Sequence, residues 1–461
     1  MATSAIQSRR RCSRRFAGRD AKEHVISEPT IISRDAHNVS RQDISQGALD
    51  VLYDLGRAGY EAYLVGGGVR DLLAGIQPKD FDVATDAKPE EVRDVFRRAR
   101  LIGRRFRLAH VRAGGEIIEV ATFRAQPRSP EEGEEQAEEA LDDHDHMLDE
   151  GGRILRDNVY GSLEDDAFRR DFTVNALYYR VTDFSVVDYV GGMDDMVARQ
   201  IRLIGDPETR YREDPVRMLR AVRIANKLGF DIEVATAAPI RELADLLTDV
   251  PGARLFDEVL KLFLSAQAEK NFDDLIELGL FQVLFPQTAA CLHQDGVETL
   301  IRGALQGTAA RVREDKPVTP AFLFAALLWP ALRDAMASAI ENGQNLAQTI
   351  PEHSGDVAAE QVETVALPRR FSTPMREIWA LQPRFHRRNG RRPERLAAHP
   401  RFRAAYDFLI LRAAAGEETD ELVQWWTEYQ QGNAPVPPAG GPNPKRRRRR
   451  RRRTGETPTS D

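Results

Sequence analysis

Apolar residues recur every three to four positions over residues 43–58 (Ile44, Leu49 with Ala48, Leu52, Leu55), spacing that places them on one face of a helix. Gly59 follows as a C-terminal stop. The period then shortens. Residues 62–65 (Ala-Tyr-Leu-Val) read as a strand running directly into Gly66-Gly67-Gly68 and a helix over 69–74. A second strand is predicted over 81–85, and Pro89 opens a helix over 90–98. Residues 101–103, 106–111 and 116–122 read as further strands, with Gly114-Gly115 as the hairpin turn between the last two. Residues 1–42 look irregular, and 126–152 form an acidic, low-complexity insertion with nothing to pack, so no structure is assigned there. Order resumes near Ile154. From Leu163 onward the periodicity is helical, apart from one strand pair between Leu177 and Tyr189. The expected fold is an α/β head over 43–195, with a mixed sheet and flanking helices, then an all-α region over 196–431. A disordered linker and Arg-rich tail over 432–461 complete it.

Length and composition narrow the class. The chain has 461 residues, room for about three domains. Its longest strongly apolar stretch, 321–329, is far short of the ~20 residues a membrane-spanning helix needs, and Pro330 ends it; it reads as a buried helix. Two distant cysteines, Cys12 and Cys291, exclude a disulfide framework or thiolate metal cluster within one chain and fit a reducing, cytoplasmic setting.

Charge is segregated. Residues 1–19 hold six arginines and no acid, 131–150 hold eleven acids and no Lys or Arg, and 445–453 are nine consecutive cations. The net charge of -6 therefore conceals a strongly acidic remainder beside a basic tail. Such blocks self-repel, and basic ones often bind nucleic acid. The Arg-rich N-terminus has the composition of an organellar transit peptide but lacks the apolar core of a secretory signal.

Candidate chemistry begins at Asp80-Phe81-Asp82. In a strand, residues i and i+2 face the same way with Cα atoms roughly 6.5–7 Å apart. Two carboxylates so placed can reach a pair of metal ions, and oxygen ligation suits Mg²⁺, which binds one or two carboxylates plus substrate phosphates. An exposed acidic strand end is the plain alternative. Upstream, Leu64 to Asp71 carries a strand through Gly66 and Gly67 into a helix start, where backbone N–H groups can approach an anion and Arg70 can add a charge-assisted contact. The ending that a Walker A loop requires is missing. Glu119 lies on a strand between apolar neighbours, where an unpaired carboxylate would be costly to bury. Arg169-Arg170-Asp171-Phe172-Thr173-Val174-Asn175 places Asp171 and Asn175 four apart, hence on one helical face able to hold a ribose, with Arg170 able to address a triphosphate. In Tyr211 to Arg220, Asp214 before Pro215 is a good helix N-cap, and Arg217, Arg220, Arg223 and Lys227 line one stripe of the helix that follows. Such a stripe is a solvated face or, beside a nucleotide site, a base or RNA contact.

In this order these pieces resemble the class II nucleotidyltransferase superfamily of bacterial poly(A) polymerases and CCA-adding enzymes, over about 43–285. The resemblance implies a metal-holding α/β head followed by helical neck, body and tail regions. Residues 196–285 would form the neck and body, binding the nucleotide base and RNA, and 286–431 a C-terminal RNA-binding region. It implies Asp80 and Asp82 as the metal carboxylates, with Glu119 or Asp171 as the third acid; sequence does not choose between them. Arg170, Asp171 and Asn175 would hold phosphate and ribose, beside the anion-approaching turn of Gly66, Gly67 and Arg70. Glu213, Asp214 and Arg217 would meet the base, and Arg220, Arg223 and tail residues Lys445, Arg446, Arg447 and Arg448 the RNA.

The segment Leu101 to Val111 resembles the poly(A) polymerase branch, and the basic tail suits an enzyme that holds many unrelated RNAs, since phosphate contacts give sequence-independent affinity. The expected activity is template-independent addition of AMP from ATP to RNA 3′ ends, with Mg²⁺, or Mn²⁺ in its place. A cytoplasmic monomer is expected, with RNA-decay proteins and, through the tail, anionic membrane as further contacts. A CCA-adding tRNA enzyme and an RNA-binding protein with an inactive transferase head are the rival readings.

Overall fold

The structure is a computed structural model that describes residues 28–103, 107–125, 146–148, 154–157 and 159–432. The Arg-rich start, most of the acidic insertion, Arg104 to Phe106 and the tail cations Lys445, Arg446, Arg447 and Arg448 lie outside the described residues. The chain divides into two compact units, one reaching Gly205 and one beginning at Asp206.

The first unit is built on an eight-stranded sheet. In chain order its elements are β1 (Thr30–Ile32), α1 (Gln46–Arg57), β2 (Ala62–Val65), α2 (Gly67–Leu73), β3 (Asp82–Thr85), α3 (Pro89–Val95), β4 (Arg100–Ile102), β5 (Leu108–Ala113), β6 (Glu116–Thr122), β7 (His146–Leu148), β8 (Ile154–Asp157), α4 (Leu163–Phe168), β9 (Leu177–Arg180), β10 (Val186–Asp188) and α5 (Gly192–Ala198). The sheet order is β1-β10-β9-β2-β3-β6-β5-β4. Every pairing is antiparallel except β3 with β6, whose crossover carries α3, β4 and β5.

One face of this sheet is sealed by α1. Val51, Leu52 and Leu55 pack there against Leu64, Val83, Val111, Ile118 and Val120. The helix starts at Gln46 rather than at residue 43 because the Ser45 hydroxyl caps it, accepting from the Ala48 N–H at 3.2 Å. On the opposite face, Leu163 and Ala167 of α4 cover Tyr63, Val65, Ala84 and Tyr178, but this second core extends only over the β10-β9-β2-β3 half. The Gly114-Gly115 turn adopts φ of +58° and +86° between the paired residues Ala113 and Glu116, as a two-residue hairpin requires.

Three expectations are corrected. Residues 1–42 are not uniformly irregular, because Thr30–Ile32 pairs with β10 as the edge strand. Within the acidic insertion, His146–Leu148 pairs antiparallel with Ile154–Asp157 just beyond it, a local hairpin ladder that composition does not reveal. The helix after Pro89 stops at Val95 because Phe96 leaves helical geometry (φ -113°, ψ 85°) to pack against the core.

The second unit is almost wholly helical, opening with α6 (Pro207–Glu213) and α7 (Val216–Leu228). Its core is rich in aromatic pairs, such as Phe256 stacked on Phe324 at 5.8 Å and Trp329 edge-on to Phe408 at 5.3 Å. The apolar run before Pro330 is the buried helix Pro320–Leu327, capped by Thr319. Among the described residues no single helix is long and apolar enough to cross a membrane.

Candidate active site

The site is assembled where β2 and β3 lie side by side. Val65, the last residue of β2, is the cross-strand partner of Asp82, the first of β3. The chain leaves β2 through Gly66 with φ +69° and ψ -134°, a conformation that side chains with a Cβ rarely adopt. A Cβ on Gly66 would sit 3.5 Å from Arg170 Nη1 and 4.0 Å from Asp82 Oδ2. The turn therefore brings bare backbone against one cation and one carboxylate. Gly68 lets α2 close on Phe81, whose Cδ1 would lie 3.4 Å from an added Cβ.

Asp80 is exposed, Phe81 is buried on the opposite side as the alternation requires, and Asp82 is half-buried. Burial, together with the charges of Glu119 and Asp80, pushes the Asp82 carboxyl up to about 6, although Arg170 opposes this. Glu119 is brought in by the parallel pairing, in register with Asp82. Its side chain is 50% exposed and accepts from, or pairs with, His110 Nε2 at 3.2 Å. The burial cost expected for Glu119 does not arise: its apolar neighbours Ile118 and Val120 point to the α1 face while Glu119 points the other way.

Arg170 is fixed by a buried network. Its Nε and Nη2 donate to Asp166 Oδ2 at 3.1 and 2.8 Å, and Nε also donates to the Tyr178 hydroxyl at 2.9 Å. Tyr178 in turn donates to Asp166 Oδ2 at 2.8 Å. Burial alone would raise the Asp166 carboxyl, but the guanidinium groups of Arg170 and Arg169 outweigh it and hold it well below the usual carboxylate range. Asp166 and Tyr178 were not singled out from sequence. The Asp166/Arg170 spacing of four was a usable signal, whereas Tyr178 reaches the pair only through the folding of β9 under α4.

Asp171 and Asn175 do come together, Asn175 Nδ2 donating to Asp171 Oδ1 at 2.9 Å, but not on an α-helical face. Phe172 is extended (φ -120°, ψ 146°) and fully buried, and only Thr173–Asn175 form a 3₁₀ turn. Arg70 is likewise corrected. It is 5% exposed, donating to Asp71 Oδ1 at 2.6 Å and to Asn175 Oδ1 at 2.6 Å. It braces the Asn175 turn from within, its guanidinium engaged by the Asp71 carboxylate and the Asn175 amide oxygen.

In the second unit Glu213, Asp214 and Arg217 are each engaged. Glu213 Oε2 accepts from Arg210 at 2.8 Å and from Arg217 at 3.0 Å. Asp214 caps α7 as expected, accepting from the Val216 N–H at 3.3 Å, and also binds Arg254 Nη2 at 2.6 Å. Arg210 and Arg254 are the partners that sequence reading missed; Arg254 lies 40 residues away. The Arg217, Arg220, Arg223 and Lys227 stripe is not a solvated face. Arg217 is buried, the other three are half-buried, and Arg223 donates to Glu258 at 3.1 Å.

Among the described residues no three His, Cys, Asp or Glu side chains are gathered to hold a metal ion by themselves. Asp80 and Asp82 stand as two candidate carboxylates, and the Asp82 carboxyl is raised first by burial and then by the charges of Glu119 and Asp80, which a bound cation would offset. This fits an ion that completes its shell with substrate oxygens, as Mg²⁺ does.

Comparison with known proteins places this arrangement. Residues 62–202 match the family described as "Poly A polymerase head domain", 229–292 match "Probable RNA and SrmB- binding site of polymerase A", and 342–455 match "Polymerase A arginine-rich C-terminus". Poly(A) polymerase I of Salmonella typhimurium is 50% identical over 421 residues, covering 90% of this chain and 89% of that protein. Poly(A) polymerase I of Haemophilus influenzae is 46% identical over 412 residues, covering 88% and 89%. A CCA-adding enzyme of Lacticaseibacillus paracasei is 36% identical over only 245 residues, 52% of this chain and 56% of that one. Among solved structures, the Bacillus stearothermophilus CCA-adding enzyme in complex with CTP superposes with a TM-score of 0.56 at 26% identity, covering 84% of this chain and 83% of that one. With half of the positions identical over nine-tenths of its length, and with head, RNA-binding and arginine-rich segments in the same order, the chain belongs to the poly(A) polymerase family.

Proposed function

We propose that the chain extends RNA 3′ ends with AMP, converting ATP and RNA to RNA-AMP and pyrophosphate by in-line attack of the terminal hydroxyl on the α-phosphate. The observation that carries this reading is the convergence of the bare Gly66 backbone, Arg170 and the carboxylates of Asp82 and Glu119 at one point of the sheet.

Each side chain has a defined task. Gly66 and Gly67 let the triphosphate approach the backbone closely. Arg170, locked by Asp166 and Tyr178, faces it as a preorganised cation that needs no reorganisation when charge develops on the leaving pyrophosphate. Asp80 and Asp82 would hold Mg²⁺, or Mn²⁺ in its place, which when bound lowers the pKa of the attacking hydroxyl and neutralises charge on the phosphates. Glu119 serves as the third acid in preference to Asp171. Glu119 is in register with Asp82 and acts on its carboxyl, whereas Asp171 Oδ1 accepts from Asn175 and from the Phe172 N–H. The Asp171 and Asn175 pair holds the ribose, and Arg70 keeps that pair in place. Glu213, Asp214 and Arg217 meet the base; their ion pairs orient polar edges without adding net charge. Arg220, Arg223 and the tail residues Lys445 to Arg448 contribute to RNA affinity. A cytoplasmic monomer, RNA-decay partners and tail contact with anionic membrane belong to the same reading and rest on the sequence.

Primer extension tests it. Purified protein receives a short unstructured RNA, or a tRNA lacking its CCA end, with ATP or CTP separately and Mg²⁺ present. Long ladders from ATP alone on the unstructured RNA are expected. Addition confined to the tRNA, requiring CTP and stopping after three nucleotides, would overturn the reading in favour of a CCA-adding enzyme.

A further inference from the structure

The sheet face that carries the acids is divided. Over β10-β9-β2-β3 it is buried beneath α4; over β6-β5-β4 the described residues build no second core, Ile117, Glu119, Arg112 and Arg100 being exposed and Leu108 and His110 half-buried. The register defines what this more open half presents. Asp82 pairs with Glu119, Glu119 with His110, and His110 with Arg100, in one straight row running from the acids to the sheet edge. Beside that row Ile117 pairs with Arg112, and Ile102 with Leu108. Cross-strand partners point to the same face, and the alternate residues Ala109, Val111, Ile118 and Val120 all point into the α1 core. Ile117 is 54% exposed and Ile102 37%. Arg100 and Arg112 are exposed, and among the described residues neither has an ion-pair partner.

We propose that this platform, with Arg100 and Arg112 as phosphate contacts and Ile117 as an apolar rest for a base or ribose, holds the 3′-terminal nucleotides of the RNA. The inference rests on the reading given above, in which two substrates meet at Asp82. One flank of Asp82, on the β2 side, already carries the glycine turn and Arg170 for the triphosphate. The second polyanionic substrate therefore approaches from the other flank, across Glu119, and the cations there match its backbone. Their spacing is suitable: Arg100 lies two strands from Glu119, about 10 Å away at ~4.8 Å per strand, so its phosphate contact falls a nucleotide or two upstream of the reacting end.

The test uses the full chain with saturating Mg²⁺ and a 5′-labelled unstructured RNA, measuring KM for RNA and for ATP over a range of salt. The charge reversal R100E/R112E is expected to raise KM for RNA at least about ten-fold while KM for ATP changes less than about two-fold. In R100Q/R112Q, which is milder at two exposed positions, the log–log salt slope is expected to fall in magnitude by about 1.4, at ~0.7 for each phosphate on a single strand. An unchanged KM for RNA with an unchanged salt slope overturns the platform, as does a parallel rise in both KM values. If the unaltered protein adds no AMP at all, the proposed function fails first, an outcome distinct from failure of the platform alone.

Discussion

Replacing Asp166 with Asn isolates the brace behind the proposed phosphate-facing arginine. Asp166 is 1% exposed. Its Oδ1 accepts from Arg169 Nε and Nη2 at 3.0 and 2.9 Å, and its Oδ2 from Arg170 Nε and Nη2 at 3.1 and 2.8 Å and from Tyr178 at 2.8 Å. Asn preserves shape and one acceptor oxygen, but it removes the charge and turns an amide donor toward a guanidinium donor. Arg170, whose side chain is 19% exposed, then keeps the Tyr178 hydroxyl but loses its counter-charge, a change that costs about 3–5 kcal/mol where one partner of a fully buried ion pair is removed. The isosteric replacement belongs near the lower end. Tryptophan fluorescence cannot report the loss, because Trp329, Trp379, Trp425 and Trp426 all lie beyond residue 206. Amide hydrogen exchange can. The strand Leu177–Arg180 is hydrogen-bonded on both sides, by β10 and β2, and should exchange only through a large opening of the head. At 1.36 kcal/mol per decade, ~3 kcal/mol accelerates exchange of its amides by roughly 160-fold. KM for ATP should rise in the same variant, since Arg170 loses its fixed position. Exchange within about three-fold of the unaltered protein would refute the argument that this network holds the head together.

Other perturbations follow from the same geometry. The Asp166 carboxyl is depressed in the folded state, so its stabilisation is fully present above the unfolded carboxylate value, near 3.9, and is lost as pH falls below it. Acid unfolding of Asp166→Asn, followed by circular dichroism, should therefore have a shallower pH dependence below about pH 4 than the unaltered protein. Asp80→Ala or Asp82→Ala should abolish AMP addition with RNA binding largely intact, and retained turnover in either purified variant would sink the assignment of the metal carboxylates. Gly66→Ala places a Cβ at φ +69°, 3.5 Å from Arg170; it should cost roughly 1–3 kcal/mol of stability and raise KM for ATP more than KM for RNA. Deleting residues 445–461 should weaken RNA binding more than ATP use and flatten its salt dependence, and an unchanged salt slope would remove the tail from the RNA-binding surface.

Local pattern determined much of this protein. The helix packed on the sheet, the glycine exit from β2, the alternation of Asp80, Phe81 and Asp82, the two-glycine hairpin and the helical second half all follow from period, turn chemistry and capping, which act over a few residues. The order of motifs was enough to point to the family. Tertiary structure decided which polar groups meet. Glu119 reaches Asp82 through a parallel pairing 37 residues apart, and Asp214 meets Arg254 40 residues away. Arg70 and Arg170 look alike in sequence, each an arginine beside an aspartate, yet burial turns one into a brace while the other reaches Gly66 and Asp82. Residues 171–175 have helical spacing but take an extended step at Phe172, because burying that ring and bridging to Leu203 outweighs local propensity. Local rules state which face a residue occupies along its own element. What lies across from it depends on strand register and burial, and those are settled only when distant segments compete for the same core.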